Sequence, residues 1–275
     1  MTIRNKVVVI TGGARGIGYA TAYKLAGLGA KVAIGDIDEA KVKEAGTALG
    51  LDVYGKLDVT QADSFEAFLE RVELELGPVD VLINNAGIMP VGHFEDEPDG
   101  VSKRMIDINV WGVVLGSKLA VKRMLPRGSG HVINISSLAG EVTVPGAATY
   151  CGTKWAVLGF TDSLALEYRH TPLEFSSVQP TFTNTELVSG THGVGPLRNA
   201  EPEEIADAIA KLIEHPRRRA RVTWAAGMLT VVMMRFVPAP IREFVGERLG
   251  VDNALLDDVD SAARKAYEDR VRGGA

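Results

Sequence analysis

Short apolar runs rich in β-branched residues alternate with longer helix-forming segments along most of this chain. The first run, at 6–11, reads KVVVIT, and an alanine-rich helical segment follows at 16–29. The runs predicted as strands lie at 6–11, 31–36, 53–58, 79–85, 131–137, 173–180 and 219–224. Apolar strands separated by helices pair in parallel and are covered on both faces. The alternation therefore predicts an α/β fold, a doubly wound parallel sheet of about seven strands with helices on both faces.

No linker, low-complexity stretch or solenoid repeat interrupts this alternation. The whole chain, 1–275, is therefore interpreted as a single domain of the Rossmann type. The segment 182–200 is rich in Gly, Thr and Ser and is too long for a simple connection, so it is predicted to be a substrate loop or lid. Residues 225–275 follow the last strand and are predicted to form a helical C-terminal extension.

Charge and cysteine content narrow the function classes. The 275 residues carry a formal net charge of -5, so no basic excess is present to neutralise phosphates and no nucleic-acid partner is expected. The single cysteine, Cys151, excludes an intramolecular disulfide and a cysteine-cluster metal site. The histidines form no metal-binding pattern, so no metal is expected.

The sequence also bears on location. The N-terminal apolar run lacks the length and cleavage site of a signal peptide. The longest late apolar stretch, 225–237, is interrupted by Arg235 and is too short to span a bilayer comfortably. We therefore expect a cytoplasmic protein that is not an integral membrane protein.

A glycine turn, TGGARGIG at 11–18, joins the first strand to the first helix. Gly12, Gly16 and Gly18 leave space for a tight turn and for the close approach of a phosphate. The N–H groups and the dipole of the helix N-terminus favour a pyrophosphate there. The spacing differs from G-x-G-x-x-G, and a bare glycine turn can be only a tight connection. The strand-turn-helix context favours binding.

An acidic residue, Asp36, ends the second strand about 20 residues after the glycines. A carboxylate there accepts hydrogen bonds from both ribose hydroxyls of an adenosine and repels a 2'-phosphate, which favours NAD over NADP. Arg15 favours NADP instead, because a guanidinium in the turn can pair with that phosphate. We give Asp36 more weight, since burying a carboxylate against a phosphate is costly. Asp38 is interpreted as a helix cap.

Further motifs follow in order. Asp58 lies in LDVT, NNAG covers 84–87, Asn109 lies in IDINVWG and Ser137 lies in INISS, while Tyr150 precedes Lys154 by four residues. Together with the glycine turn, over about residues 5–224, these motifs resemble those of the short-chain dehydrogenase/reductase family. Each motif is modest evidence alone, and the ordered set is specific.

The resemblance implies roles for individual residues. It implies a catalytic set of Asn109, Ser137, Tyr150 and Lys154. It implies that the nicotinamide cofactor is bound by Gly12, Arg15, Gly16, Ile17, Gly18, Asp36, Asp58, Val59, Asn85, Ala86, Gly87, Tyr150, Lys154, Pro180, Thr183 and Thr185. Thr181 stands where the family usually has glycine, which raises the question of whether a β-branched residue fits the backbone there.

Tyr150 is the predicted acid–base for hydride transfer between an alcohol and a nicotinamide. Residues i and i+4 share a helix face, so Lys154 is expected beneath the phenol, where its ammonium lowers the pKa of Tyr150. Ser137 is expected to orient the substrate oxygen; Ser136, its neighbour, faces the other way. Asn109 is expected to hold a water in a proton relay. Cys151 is interpreted as a small packed thiol.

The surroundings of the predicted site are apolar, with Met89, Pro90, His93 and Phe94 after the fourth strand and Val142, Val144 and Pro145 before Tyr150. They favour a lipophilic secondary alcohol or ketone, such as a steroid, retinoid, fatty or terpenoid compound. The alternatives are an NADPH-dependent carbonyl reductase, a nucleotide-sugar epimerase or dehydratase, and a non-catalytic NAD-binding regulatory protein.

Assembly and the tail remain open at the level of sequence. The helices near 101–125 and 150–170 resemble the dimerisation pair of the family, so a homodimer or homotetramer is expected. The tail after Trp224 has three interpretations. It covers the substrate pocket, packs in a subunit interface, or lies on a membrane surface as a peripheral contact. Packing over the pocket or in an interface is favoured.

Overall fold

A seven-stranded, all-parallel sheet in the order β3-β2-β1-β4-β5-β6-β7 forms the centre of the molecule. The structure is a computed structural model and describes residues 2–191, 199–223, 227, 232, 236–248, 253, 255, 256 and 258–272. The strands are β1 (Val7–Thr11), β2 (Lys31–Asp36), β3 (Val53–Lys56), β4 (Val81–Asn84), β5 (Gly130–Ile135), β6 (Leu173–Pro180) and β7 (Arg219–Val222). The predicted α/β doubly wound fold is confirmed.

Helices connect the strands and extend beyond the last one. They are α1 (Gly16–Gly27), α2 (Glu39–Ala48), α3 (Ala62–Leu76), α4 (Asp99–Ile106), α5 (Gly112–Met124), α6 (Ala148–Glu167), α7 (Pro202–Glu214), α8 (Ala239–Arg248) and α9 (Ser261–Arg272). A π-helical turn, Asp107–Trp111, joins α4 to α5. The helical C-terminal extension is confirmed for α8 and α9, whereas most of 225–235 lies outside the described residues.

Two apolar layers cover the sheet, one on each face. Along β1, Val8 and Ile10 pack into the layer that includes α1, α2 and α7. Val7 and Val9 pack into the layer that includes α3 and α5. Successive side chains of a strand point to opposite faces, so a continuously apolar strand is what a doubly covered sheet requires.

The strands β3, β4 and β5 end one or two residues before their predicted limits. Asp58, Asn85 and Ser137 therefore lie in the loops that follow these strands. The reason is local hydrogen bonding, since Asp58 accepts the N–H of Thr60 and Ser137 accepts the N–H of Ala139. These polar side chains satisfy loop backbone instead of extending the sheet.

The chain order reverses between β1 and β4, which are neighbours in the sheet. Crossovers to either side of this point diverge and leave a crevice beyond the carboxyl ends of the strands. The glycine turn, the residues after β4 and the end of β5 all meet there. Within the described residues, no helix is long and apolar enough to cross a membrane.

Candidate active site

The glycine turn is shaped by contacts that leave no room for larger side chains. Gly12 has a φ of 64°, and a Cβ on it would lie 2.9 Å from the Cα of Ala86. A Cβ on Gly18 would lie 2.2 Å from the carbonyl oxygen of Gly12. The N-terminus of α1 has neither a side-chain cap nor an acidic residue in its first turn. Its N–H groups are therefore suited to an anionic ligand such as a pyrophosphate.

Asn85 fixes this turn to the end of β4. Its Nδ2 donates to the carbonyl oxygens of Thr11 (3.0 Å) and Gly12 (2.9 Å). The Thr11 hydroxyl in return accepts the N–H groups of Asn85 and Ala86, each at 3.0 Å. The glycine turn and the loop after β4 thus form one rigid floor, although 74 residues of chain separate Thr11 from Asn85.

Asp36 lies beside the turn. Its carboxylate accepts the backbone N–H groups of Ala14 and Asp38, each at 3.1 Å. Burial raises the pKa of the Asp36 carboxyl, and these two hydrogen bonds act in the opposite direction. Each carboxylate oxygen has a further lone pair with which to accept a ribose hydroxyl.

Arg15 is held by acidic side chains. Its Nη2 lies 2.6 Å from Asp38 Oδ2, and its Nε lies 3.7 Å from Glu186 Oε2. Asp38 also caps α2 by accepting the N–H of Lys41, as expected for a helix cap, and this bond is the main reason that the pKa of Asp38 is lowered. A 2'-phosphate would have to compete with two carboxylates for Arg15.

Tyr150 and Lys154 lie one helical turn apart on α6, and both are buried. Lys154 Nζ lies 5.5 Å from the centre of the Tyr150 ring and donates to the carbonyl oxygen of Ile135 at 3.0 Å. Burial raises the pKa of Tyr150 above its ordinary value, and a hydrogen bond with Ser137 acts against this rise. Burial lowers the pKa of Lys154 to about 8.

Lys154 was expected to lower the pKa of Tyr150, but burial has the larger effect and raises it. Both side chains have left water, and desolvation disfavours the charged form of each. The ammonium also contacts the face of the ring and points to a backbone carbonyl. The protein surroundings therefore keep the phenol protonated, and a bound cationic nicotinamide would shift the balance towards the phenolate.

The two neighbouring serines after β5 have different partners. Ser137 accepts the N–H of Ala139 at 3.1 Å, and its hydroxyl lies close enough to Tyr150 to act against the rise in the phenol's pKa. Ser136 is buried and donates to the carbonyl oxygen of Lys154 at 2.9 Å, which ties the end of β5 to α6. Ser137 is therefore the serine placed beside the phenol.

Asn109 occupies the π-helical turn and is completely buried. Its Nδ2 donates to the Ile88 carbonyl and to the Thr153 hydroxyl, and its Oδ1 accepts the Ile88 N–H. Its two N–H groups are thus already committed, so the predicted contact with a water has to use another atom. Gly87 lies beside Asn109 and Lys154. A Cβ on Gly87 would be 3.2 Å from Asn109 Oδ1 and 3.6 Å from Lys154 Nζ.

The loop after β6 passes over the glycine turn. The side chain of Thr185 contacts Gly16, where a Cβ would lie 3.0 Å from the threonine Cγ2. Thr183 Oγ1 donates to the carbonyl oxygen of Thr181 at 2.9 Å. Thr181 itself is not strained, because Asn5 is the only described non-glycine residue with a positive φ. The substitution of the family's glycine therefore leaves the local backbone in the range of an ordinary residue.

A cavity of about 1180 Å³ brings these residues together. Every predicted cofactor-binding residue except Gly18 lines it, as does Ser137, whereas Gly18 and Asn109 support its walls. Val142, Val144 and Pro145 line it as expected, and so does Met89. Pro90, His93 and Phe94 do not line it, and Phe94 is 69% exposed, because the chain leaves the cavity after Met89.

The C-terminal helix α9 covers this cavity. Tyr267, Arg270 and Val271 line it. Arg264 is buried and donates to the carbonyl oxygens of Leu187 (2.9 Å) and Met89, which lie in the loops after β6 and β4. Of the three interpretations of the tail, covering the pocket is the one that the position of α9 supports.

Neither the residues of α9 nor the buried polar residues that join β4 and β5 to α6 were identified from the sequence. Asn84 donates to Asn134 at 2.8 Å, and Asn134 donates to Thr161 of α6 at 2.9 Å, all three being buried. This chain of amides fixes the helix that carries Tyr150 to the sheet. Of these three residues, only Asn84 belongs to a motif that is recognisable in the sequence, NNAG at 84–87. For α9, only the amphipathic pattern of SAARKAYEDRVR marked a packed helix.

Three comparisons place the molecule among known proteins. The family model for short chain dehydrogenases matches residues 6–192. A cis-4-hydroxycyclohexanecarboxylate dehydrogenase of Sinomonas cyclohexanicum is 36% identical over 225 residues, which cover 75% of this chain and 88% of the relative. The probable oxidoreductase EphD of Mycobacterium tuberculosis is 34% identical over 232 residues, which cover 76% of this chain and 39% of EphD.

Among solved structures, a short chain dehydrogenase/reductase from Burkholderia phymatum in complex with NAD gives a TM-score of 0.78. Its sequence is 25% identical to this chain, and the superposition covers 85% of this chain and 94% of the other.

Proposed function

This chain belongs to the short-chain dehydrogenase family, and we propose that it is an NAD-dependent oxidoreductase acting on lipophilic secondary alcohols and their ketones. The observation that carries the proposal is the placement of Tyr150 and Ser137 at the junction of two environments. On one side lies the groove along the glycine turn. On the other lies an apolar cluster that includes Met89, Val144 and Leu187. A substrate held against that cluster presents its oxygen to the phenol.

The roles proposed for the catalytic residues follow from their contacts. Tyr150 accepts the hydroxyl proton when an alcohol is oxidised and returns it when a ketone is reduced. Ser137 orients the reacting oxygen through its hydroxyl. Lys154 supports the phenol and is the next group in the relay, its neutral amine receiving the proton and its ammonium supplying it. Asn109 positions the loop after β4 through Ile88. NAD, when bound, supplies the hydride acceptor.

The residues present fit a dinucleotide. The uncapped N-terminus of α1 with Gly12, Gly16 and Ile17 is proposed to bind the pyrophosphate, and Asp36 the adenosine ribose. The residues proposed to contact the rest of the cofactor are Arg15, Asp58, Val59, Asn85, Ala86, Gly87, Lys154, Pro180, Thr183 and Thr185. Gly18 would act indirectly, since it shapes the turn from behind the cavity wall.

The reaction is tested by following NADH formation at 340 nm with a panel of secondary alcohols, from cyclic to long-chain and steroidal. We expect turnover of lipophilic members and a loss of about 100- to 10,000-fold in Tyr150→Phe, because the proton acceptor is removed. Cys151→Ser is the matched control from the next position and should retain turnover. Full activity of a Tyr150→Phe protein that still binds NADH would remove Tyr150 from the mechanism.

NAD is proposed over NADP because of the acidic residues around the ribose end of the groove. Asp36 is available to accept ribose hydroxyls, while Asp38 and Glu186 surround Arg15. A phosphate added to the 2' position would meet this negative charge.

Fluorescence titration with NADH and NADPH measures the preference. We expect NADH to bind at least 10-fold more tightly, and Asp36→Asn to reduce the difference by weakening NADH and relieving the repulsion of NADPH. Tighter binding of NADPH by the wild type would overturn the cofactor proposal and support the alternative of an NADPH-dependent carbonyl reductase.

The relatives favour a ring-bearing substrate. The Sinomonas protein is named for a secondary alcohol on a cyclohexane ring. Together with the apolar walls, this supports placing cyclic alcohols first in the panel.

A further inference from the structure

A second phenol, that of Tyr267 on α9, lines the same cavity as Tyr150. Its side chain is enclosed, with the residue only 7% exposed. The hydroxyl oxygen accepts the backbone N–H of Met89 at 2.7 Å, which fixes its position against the loop after β4. Tyr267 therefore has a defined place in the wall.

The hydroxyl of Tyr267 retains an unused donor. The bond from Met89 uses an oxygen lone pair and leaves the O–H proton available. Among the residues that the structure describes, none accepts this proton. Guanidinium groups flank the ring, with Arg264 at 4.8 Å and Arg270 at 5.6 Å from its centre, so the ring cannot easily turn away.

The two phenols lie within electrostatic reach of each other, since ionisation of Tyr267 would raise the pKa of Tyr150 further. Burial raises the pKa of Tyr267 to about 12, so it remains a protonated donor near neutrality. Tyr150 packs among apolar side chains that include Met89, Val144 and Leu255, and these residues line the cavity that Tyr267 also lines. A donor in such surroundings favours a ligand that brings its own acceptor.

We propose that Tyr267 is a specificity-determining residue whose hydroxyl donates a hydrogen bond to a second oxygen of the substrate. The preferred substrates are then secondary alcohols that carry another hydroxyl, carbonyl or carboxylate oxygen away from the reacting carbon. This inference rests on the proposed function and narrows its substrate class. A substrate without the second oxygen would leave the Tyr267 donor buried and unpaired, which costs binding energy.

The test compares three alcohols of similar shape, cyclohexanol, 4-methylcyclohexanol and 1,4-cyclohexanediol, with NAD as oxidant. In the wild type we expect kcat/KM for the diol to exceed that for 4-methylcyclohexanol by roughly 10- to 100-fold. In Tyr267→Phe we expect this ratio to fall to about 2, the statistical factor of two equivalent hydroxyls, because the donor is lost while the ring remains. kcat/KM for 4-methylcyclohexanol should change by less than about 3-fold.

Controls separate specificity from structure. Tyr267→Phe leaves the Met89 N–H without its partner, so thermal unfolding of the variant is measured alongside. Lys265→Ala, at an exposed position on the same helix, should leave the substrate ratio unchanged. An equal fall of kcat/KM for all three alcohols in Tyr267→Phe would assign Tyr267 a structural role and overturn the proposal.

If Tyr267→Phe does not fold, the kcat/KM values of the wild type alone still test the inference. A wild-type ratio of kcat/KM for the diol over 4-methylcyclohexanol no greater than the statistical factor of about 2 would overturn the inference and leave the proposed oxidoreductase function intact. NAD reduction with none of these alcohols and none of the lipophilic panel would overturn both.

Discussion

The buried pair of Tyr150 and Lys154 illustrates how one environment acts on two groups of opposite charge type. Burial raises the pKa of the phenol and lowers that of the ammonium to about 8. Each group is thereby held closer to its neutral form. Because the Lys154 pKa is about 8, this side chain still carries its proton at pH 7 while the phenol is neutral, so the buried pair holds one positive charge and no ion pair.

Lys154→Met should reveal this burial as a pH-dependent difference in stability. In the folded wild type Lys154 loses its proton near pH 8, whereas in the unfolded chain it does so near pH 10.5. The unfolded state therefore binds more protons between these values, and wild-type stability rises with pH there. Relative to Lys154→Met, we expect the free energy of unfolding of the wild type to increase by roughly 2 to 3 kcal/mol from pH 7 to pH 10.

Denaturant titrations at pH 7, 8, 9 and 10 measure this difference. Lys43→Met, at an exposed position on α2, is the matched control and should show no such trend. A stability difference between wild type and Lys154→Met that stays constant with pH would contradict the assigned effect of burial.

At the scale of elements, polar contacts hold α9 over the cavity. Arg264 reaches both the loop after β4 and the loop after β6, and its Nε also pairs with Glu268 at 2.7 Å. Arg104 of α4 donates to the carbonyl oxygen of Val271 at 3.1 Å. Arg270 pairs with Glu186, which in turn lies near Arg15. The helix α9, the loop after β6 and the glycine turn are thus linked by charge.

Arg264→Met should release α9 from the cavity. The change removes every donor that Arg264 gives to Met89, Leu187 and Ser189, and leaves Glu268 with Arg272 as its remaining partner. We expect docking of α9 to weaken by about 3 kcal/mol. Hydrogen exchange measured by mass spectrometry should then accelerate at 186–190 and 261–272 while β1 and β4 stay protected.

Lys265→Met, one residue further along α9, provides the control for this experiment and should leave exchange unchanged. Unaltered protection of 261–272 in Arg264→Met would mean that apolar packing alone holds the helix.

At the scale of the whole molecule, some large apolar side chains remain on the surface. Trp111 is 44% exposed beside α5 and Trp155 is 48% exposed on α6. These helices were the predicted dimerisation pair. The homodimer or homotetramer stays a prediction, and these tryptophans are the residues that an interface would cover.

Light scattering should therefore give a mass of two or four protomers, and Trp155→Glu should shift it towards the monomer, because a carboxylate would be buried in the interface. Leu74→Glu changes a residue that is 87% exposed on α3 and should leave the mass unaltered. A wild-type protein that is monomeric at micromolar concentration would contradict the prediction.

Much of the fold was determined by local sequence. Continuous apolar strands separated by helices permit few arrangements other than a parallel sheet covered on both faces. The glycine turn was likewise predictable, since Gly12 and Gly18 occupy positions where a Cβ would clash. The positions of Tyr150 and Lys154 on one helix face followed from helix periodicity.

Only the tertiary structure decided which distant residues meet at the site and how its environment acts. The hydrogen bond from Met89 to Tyr267 joins residues 178 positions apart, and no local pattern encodes such a contact. The direction of the Tyr150 pKa shift depends on burial, a property of the packed molecule that the spacing to Lys154 does not contain. Sequence determined the elements and their chemistry, because propensity and periodicity are local, while packing determined the neighbours that tune them.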